Sequence, residues 1–238
     1  MAFVGRSHIA RRWIVKNGGS LIRHSRFVGS CRRKSDLVLV LDMDECLIHS
    51  QFLSNTEYRQ DEYRPSAISS KSVESFRIEL PDGDLVQVNK RPGLDEFLQT
   101  VTSKFETHIF TAAMEVYASP VLDSLDPENT MLGKRFYRES CSLNSELGVY
   151  VKDLSKILQD VDHKRVVLVD NNPLSFLAQP SNGILVSNFY DSPDDITLKA
   201  VVDLLERLET KNDVRPTLDD MFGLSAALAE LQGRPQRM

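Results

Sequence analysis

Residues 37–48 read LVLVLDMDECLI, an unbroken apolar run from Leu37 to Leu41 that ends in Asp42, Asp44 and Glu45. Five consecutive Leu and Val residues without polar alternation are the pattern of a strand covered on both faces, as in a parallel sheet flanked by helices. Nothing in the packing of such a strand asks for three carboxylates at its end. In open parallel α/β sheets, ligands sit in the crevice beyond the carboxyl ends of the strands, so acids at that tip point to a site.

Two more stretches repeat the arrangement further along the chain. Glu106–Phe110 (ETHIF) is a β-prone run followed by Thr111, and Arg165–Val169 (RVVLV) is a buried-looking run followed by Asp170-Asn171-Asn172-Pro173; Ile184–Val186 predicts a last strand. Helical spacing appears between them. Leu94, Phe97, Leu98, Val101 and Phe105 form one apolar stripe, with Pro92 and Gly93 in its first turn. Val116, Tyr117, Val121 and Leu122 form a second, in which Pro120 marks a first turn or a kink. Asp194 and Asp195 open a third, carrying Ile196, Val201, Val202, Leu205 and Leu208, with the acids at the positive end of the helix dipole. Strands alternating with helices predict a three-layer α/β fold with a doubly wound parallel sheet.

Ser75–Leu80 and Leu85–Val88 flank the turn signal Pro81-Asp82-Gly83-Asp84 and predict a small β-hairpin insertion. Residues 51–72 hold neither period and read as a loop. Thr217–Leu231 reads as one more amphipathic helix. The expected organisation is a basic segment over residues 1–35, disordered or targeting, then the α/β domain over 36–210 and a helical extension over 211–238.

Charge divides the chain in the same way. Its formal net charge is -5, but residues 1–35 carry nine Lys and Arg and no acid, which leaves 20 basic against 34 acidic residues in the body. An acidic body argues against direct binding of duplex nucleic acid, which depends on clustered cations that neutralise phosphates. The acid-free head has the composition of a mitochondrial transit peptide and equally of a basic arm, so nuclear, cytoplasmic and mitochondrial sites all fit. Three widely spaced cysteines, Cys31, Cys46 and Cys141, suggest neither a zinc site nor a disulfide framework. No apolar run approaches the roughly 18 residues that a transmembrane segment needs.

Two carboxylates at i and i+2 past a strand can divide labour as nucleophile and general acid/base. A carboxylate that attacks phosphorus approaches an anionic group, so the site needs a divalent cation and donors around the transferred oxygens. Asp170 and Asn171 offer hard oxygen ligands suited to Mg²⁺. Lys152, in Tyr150-Val151-Lys152-Asp153-Leu154, offers fixed positive charge, and Thr111 a hydroxyl. Taken singly, each has an ordinary structural reading as a turn, a surface charge or a helix cap.

Taken together, the order Asp-x-Asp, Thr, Lys, Asp-Asn resembles the haloacid dehalogenase superfamily of phosphotransferases. The wording is closest to its branch of RNA polymerase II C-terminal-domain small phosphatases, which includes the Dullard-like nuclear-envelope phosphatases and NLI-interacting factors. The stretches LDMDECLIHS, KRPGLDEFL, FETHIFTAAMEVYASPVLDSLD, FYRESC, VYVKDLSKI and VLVDNNPLSF carry that resemblance in the family's order from Leu37 to Leu208. It implies a Mg²⁺-dependent phosphoprotein Ser/Thr phosphatase in which Asp42 forms an aspartyl-phosphate, and Asp44 protonates the leaving oxygen and then activates water. Thr111, Lys152 and Arg138 would hold the phosphoryl group. The Asp42 carboxylate, the Asp44 carbonyl and Asn171 would bind the metal, with Asp170 close by. Phe52, Met114 and Tyr117 fall where the family builds an apolar substrate pocket.

Cys46 departs from the family's usual Thr or Val, while Glu45 reads as a solvent-facing acid. Two other readings remain open: a non-catalytic scaffold or mitochondrial import component on the same fold, and a small-molecule phosphatase. The intact Asp42/Asp44 pair opposes the first, and the small insertion, which leaves an open cleft, opposes the second.

Overall fold

In the computed structural model, which describes residues 34–53 and 72–232, the opening run forms the centre of a sheet. The basic head, most of the expected loop and the last six residues lie outside the described residues. In chain order the elements are β1 (Val38–Leu41), β2 (Ile48–Leu53), β3 (Ser75–Glu79), β4 (Leu85–Lys90), α1 (Leu94–Lys104), β5 (Glu106–Phe110), α2 (Glu115–Leu125), β6 (Arg135–Phe136), β7 (Ser142–Asn144) and β8 (Val149–Val151). They continue with α3 (Leu154–Ile157), β9 (Val166–Asp170), β10 (Gly183–Leu185), α4 (Thr197–Glu209), α5 (Arg215–Phe222) and α6 (Leu224–Gln232).

Five strands form an all-parallel sheet in the order β10-β9-β1-β5-β6. The chain leaves β1 toward β5 and β6 and returns to its other side as β9 and β10. The strand order therefore reverses at β1, and the crevice of a doubly wound sheet opens above its carboxyl end.

Successive side chains of a strand point to opposite faces, and here each face has its own core. Leu37, Leu39 and Leu41 join Leu98 and Val101 of α1, Val121 and Leu122 of α2, and Leu205 and Leu208 of α4. Val38 and Val40 join Leu154, Phe176, Leu224 and Leu228 on the other face. Both registers of β1 must therefore be apolar, which is why the run shows no alternation. The layers are unequal, with three long helices on one face and short helical turns plus α6 on the other.

The hairpin is part of a larger unit than the sequence suggests. Gln51, Phe52 and Leu53 belong to β2, which pairs antiparallel with β4, giving a three-stranded sheet in the order β2-β4-β3. The polar, aperiodic residues around them hide that strand because β2 takes its order from backbone pairing rather than from an apolar face.

Other boundaries move for identifiable reasons. Gly93 is not in the first turn of α1 but caps it in the left-handed conformation, φ 78°, which a residue with a Cβ adopts at a cost. Pro120 lies in the second turn of α2. The expected single helix over 217–231 is two, α5 and α6, broken at Gly223, whose φ of 61° ends α5. Ile196 precedes α4 and is 74% exposed, while Asp195 accepts from Thr197 N at 2.8 Å at the start of the helix and also faces inward.

Asp195 is turned by Arg91, whose side chain is fully buried. The guanidinium makes a two-pronged bond to the Asp195 carboxylate at 2.9 and 2.8 Å, and also donates to the Cys46 carbonyl at 2.8 Å, to Ser187 and to Thr197. A buried guanidinium is tolerated when its donors are matched by acceptors in this way. The result fastens the turn after β1 to the loop before α4.

Candidate active site

Three of the candidate polar positions converge because each is bonded at the end of its strand. Asp42 N donates to Val169 O of β9 at 2.9 Å, Thr111 N to Phe136 O of β6 at 2.9 Å, and Lys152 N to Ser175 O at 3.0 Å in the turn that follows β9. The last bond draws the small β7–β8 hairpin to the sheet edge. All ten side chains singled out in the sequence line one cleft of about 490 Å³.

Lys152 is only 2% exposed, and its ammonium lies between two carboxylates, paired with Asp42 Oδ1 and, at 2.6 Å, with Asp170 Oδ2. Asp170 Oδ1 accepts from Asn172 N at 2.7 Å, so both of its oxygens are engaged by protein donors. Burial first, and then the charge of Asp170, raise the Asp42 carboxyl above the ordinary carboxylate range against the pull of Lys152. Burial also works against a charged Lys152, but Asp170 and Asp42 outweigh it and hold the ammonium protonated. With one ammonium serving two buried acids, the cleft is short of positive charge for Asp42 to ionise freely.

Asp44 occupies a different environment. Tyr117 Oη donates to its Oδ1 at 2.5 Å. Burial lifts this carboxyl to about 6, with the Tyr117 bond acting in the opposite sense. Burial and the charge of Asp44 raise the Tyr117 phenol further, so it stays neutral and serves as a donor.

The chemistry of the donor set provides a test of whether a cation fits. With its nitrogen donating to Asn188 Oδ1 at 3.1 Å, the Asn171 amide turns its oxygen toward Asp42 Oδ2 and the Asp44 carbonyl, 3.1 and 3.3 Å away. Three oxygens facing one another repel. Either the amide turns over and donates to both, or a hard cation sits among them. Two side-chain oxygens and one carbonyl, with the remaining positions open to water, suit Mg²⁺. A cation there would also supply the charge that the Lys152 pair lacks. Among the described residues, no group of three His, Cys, Asp or Glu side chains has metal-binding geometry.

The remaining predicted residues surround this centre. Thr111 is buried, and its Oγ1 accepts from Ala113 N at 3.0 Å, which leaves the hydroxyl proton free to donate. Arg138 Nε donates to Ala112 O at 2.7 Å, and its guanidinium lies over the Tyr150 ring, 5.2 Å from the centroid. Its two terminal nitrogens have no partner among the described residues, and the side chain lines the cleft. Phe52 and Met114 are 59% and 53% exposed at the rim.

Three features escape sequence reading. The Tyr117–Asp44 bond joins residues 73 apart in the chain. Glu45 is not simply solvent-facing: it adopts φ 54°, its carboxylate meets His49 Nδ1 at 3.1 Å, and its carbonyl accepts from Phe189 N at 2.8 Å. These contacts hold a left-handed, non-glycine residue in the turn beside the candidate cation oxygens, where such strain is expected to concentrate. Asn188, the partner of Asn171, stands in a stretch with no motif. Cys46 is fully buried, its Sγ 3.8 Å from Val169 O, and burial followed by the charge of Asp42 pushes its thiol well up, which makes it an inert packing residue.

Comparison with known proteins gives the family and the fold. Residues 37–215 match the family model described as NLI interacting factor-like phosphatase. A probable C-terminal domain small phosphatase of Dictyostelium discoideum is 38% identical over 182 residues, 76% of this chain and 54% of that protein. CTD nuclear envelope phosphatase 1 of Xenopus tropicalis is 37% identical over 183 residues, 76% of this chain and 70% of that protein. The chain thus spans about half the length of the first relative and 70% of the second. The structure of Fcp1, an RNA polymerase II CTD phosphatase, superposes with a TM-score of 0.51 at 22% identity over 85% of this chain and 55% of that one, which shows the shared haloacid-dehalogenase-like fold. With the family model covering the sheet from β1 through α4, and with relatives above one-third identity, the chain belongs to the NLI interacting factor-like phosphatase family.

Proposed function

We propose that the protein is a Mg²⁺-dependent phosphoprotein phosphatase acting on phosphoserine and phosphothreonine through an aspartyl-phosphate on Asp42. One observation carries this reading: two carboxylates two residues apart are held by different partners, Asp42 by the Lys152 ammonium and Asp44 by the neutral Tyr117 phenol. Environments that separate two acids in this way assign them different roles. Asp42, beside the fixed charge of Lys152, is the nucleophile, and Asp44, whose carboxyl burial lifts to about 6, is the acid.

Asp42 Oδ2, the Asp44 carbonyl and Asn171 would hold Mg²⁺, which would offset the charge of the incoming phosphate and favour ionised Asp42. Lys152 Nζ and the Thr111 hydroxyl then donate to the phosphoryl oxygens, and Arg138 adds charge from the rim. Asp42 attacks phosphorus as the bond to the serine or threonine oxygen breaks, and Asp44 gives that oxygen its proton. The resulting Asp44 carboxylate takes a proton from water as water attacks the aspartyl-phosphate, releasing phosphate and restoring both acids. Phe52 and Met114 leave an apolar, open rim that suits a polypeptide better than an enclosed small molecule.

Phosphate release from a panel of phosphoserine and phosphothreonine peptides tests the reading. With Mg²⁺ present, turnover is expected; chelation should lower it by about 100-fold or more, and added Mg²⁺ should restore it. Binding of the phosphopeptides without any phosphate release would instead favour a scaffold.

The pH profile provides a second test. An acid lifted to about 6 is competent below that value, so kcat/KM should fall as pH rises through it. The substrate's own phosphate titrates near pH 6 as well. Asp44→Asn, which keeps only the substrate's limb, is therefore the comparison, and identical profiles for the two proteins would remove Asp44 from the acid role.

A further inference from the structure

Asp42 and Asp170 are each fixed by Lys152, but the Asp44 carboxylate has a single anchor. Among the described residues, only Tyr117 Oη donates to it, at 2.5 Å. The donor stands on a rigid support: Tyr117 lies in the first turn of α2, where its amide and that of Ala118 both bond to the Met114 carbonyl at 3.1 and 3.0 Å. Its ring packs against Phe52 with centroids 5.9 Å apart, so β2 braces the phenol from the other side. The turn that carries Asp44 has a left-handed residue directly after it, Glu45.

We propose that Tyr117 is a positioning residue for the leaving-group step, its hydroxyl holding the Asp44 carboxyl where it can reach the departing oxygen. This role presupposes the phosphatase reading above and concerns where the carboxyl is held rather than when it ionises. In that step the Asp42–phosphorus bond forms and the bond from phosphorus to the leaving oxygen breaks. The leaving oxygen takes the electron pair and receives the Asp44 proton. A good leaving group tolerates a misplaced acid because it departs with its electron pair unaided, whereas a poor one does not. Loss of the Tyr117 hydroxyl should therefore be felt in proportion to the leaving group's basicity.

The test uses the full chain with Mg²⁺ and a series of para-substituted phenyl phosphates, from p-nitrophenyl phosphate to phenyl phosphate and p-methoxyphenyl phosphate. Because kcat/KM reports events up to departure of the phenol, its logarithm is plotted against the phenol pKa for the wild type, Tyr117→Phe and Asp44→Asn. The Phe variant keeps the ring and its packing on Phe52, and an unchanged melting temperature verifies the fold. The expected result is a steeper line for Tyr117→Phe than for the wild type, approaching that of Asp44→Asn. The loss for the most basic phenols should exceed that for p-nitrophenyl phosphate by about 10- to 100-fold, within the range ascribed to general acid catalysis. Parallel lines for wild type and Tyr117→Phe would overturn the role, since a merely structural or substrate-binding tyrosine lowers every member alike. If the wild type hydrolyses none of the series, nor any phosphopeptide, the phosphatase reading itself falls and the role falls with it.

Discussion

Asn in place of Asp42 is expected to lower phosphate release by about 10⁴-fold or more, while the melting temperature in chelator stays at or above that of the wild type. The first effect follows because an amide oxygen does not attack phosphorus, and the other described carboxylates of the cleft are engaged: Asp170 at both oxygens, Asp44 with Tyr117 and Glu45 with His49. The second follows from charge. Without a divalent cation, one ammonium serves two buried acids, and the Asp42 carboxyl is raised by burial and by Asp170. A carboxyl raised in the folded state favours folding while it is protonated, and that contribution drains away as pH rises from about 4, the unfolded value. The substituted amide would remain neutral throughout and leave Lys152 and Asp170 as a balanced pair. The advantage of the variant should therefore grow between pH 5 and pH 8, measured as the difference in melting temperature with chelator present. A variant that melts well below the wild type at both pH values would mean that the Asp42 charge stabilises the fold, contrary to the electrostatics of the cleft.

The parts of this site that are legible in the sequence are those whose signal is local. An unbroken LVLVL run implies two covered faces, and the two cores that divide Leu37, Leu39 and Leu41 from Val38 and Val40 are its direct result. Acids and amides directly after such runs fall at the strand tips by geometry alone, so Asp42, Thr111 and Asp170 can be placed together without knowing the strand order. Lys152 is harder to place, since it follows a three-residue strand in a hairpin and reaches the centre only through the bond from its amide to Ser175 O. Resemblance to a family supplies that position, and Arg138 with it.

What stays hidden depends on contacts distant in sequence. β2 reads as loop because its partners are backbone groups of β4, and a polar strand paired in this way leaves no periodic trace. Tyr117 shows apolar helical spacing and so reads as core, yet its hydroxyl is the end that matters. Arg91 lies in a stretch whose helix signal is plain, but its four partners beyond that stretch, Cys46, Ser187, Asp195 and Thr197, cannot be anticipated from spacing. Asp195 reads as a helix-dipole acid, and its bond from Thr197 N agrees, but the buried guanidinium that shares the carboxylate leaves no local signal.

Lys152→Met is expected to destabilise the fold by about 3–5 kcal/mol, the cost of stripping the partner from a buried charge pair. At about 2–4 °C per kcal/mol for a domain of this size, the melting temperature should drop by about 6–20 °C. Methionine matches the length of the lysine stem and fills its volume, so the loss reports charge rather than a cavity. The two carboxylates that shared the ammonium, with Asp170 on one side at 2.6 Å and Asp42 on the other, would then face each other with no cation between them. Asp42, whose carboxyl burial already raises, can escape the repulsion by holding its proton. A second substitution separates this cause from general damage to the cleft. Lys152→Met combined with Asp170→Asn removes one acid together with the cation, and it should recover at least half of the lost stability at pH 8 while remaining inactive, because the phosphoryl group has lost its fixed charge. If Lys152→Met melts within about 3 °C of the wild type at pH 8, the buried triad is not what holds the strand tips together, and the rigidity of the site must come from the backbone bonds of Asp42, Thr111 and Lys152 alone.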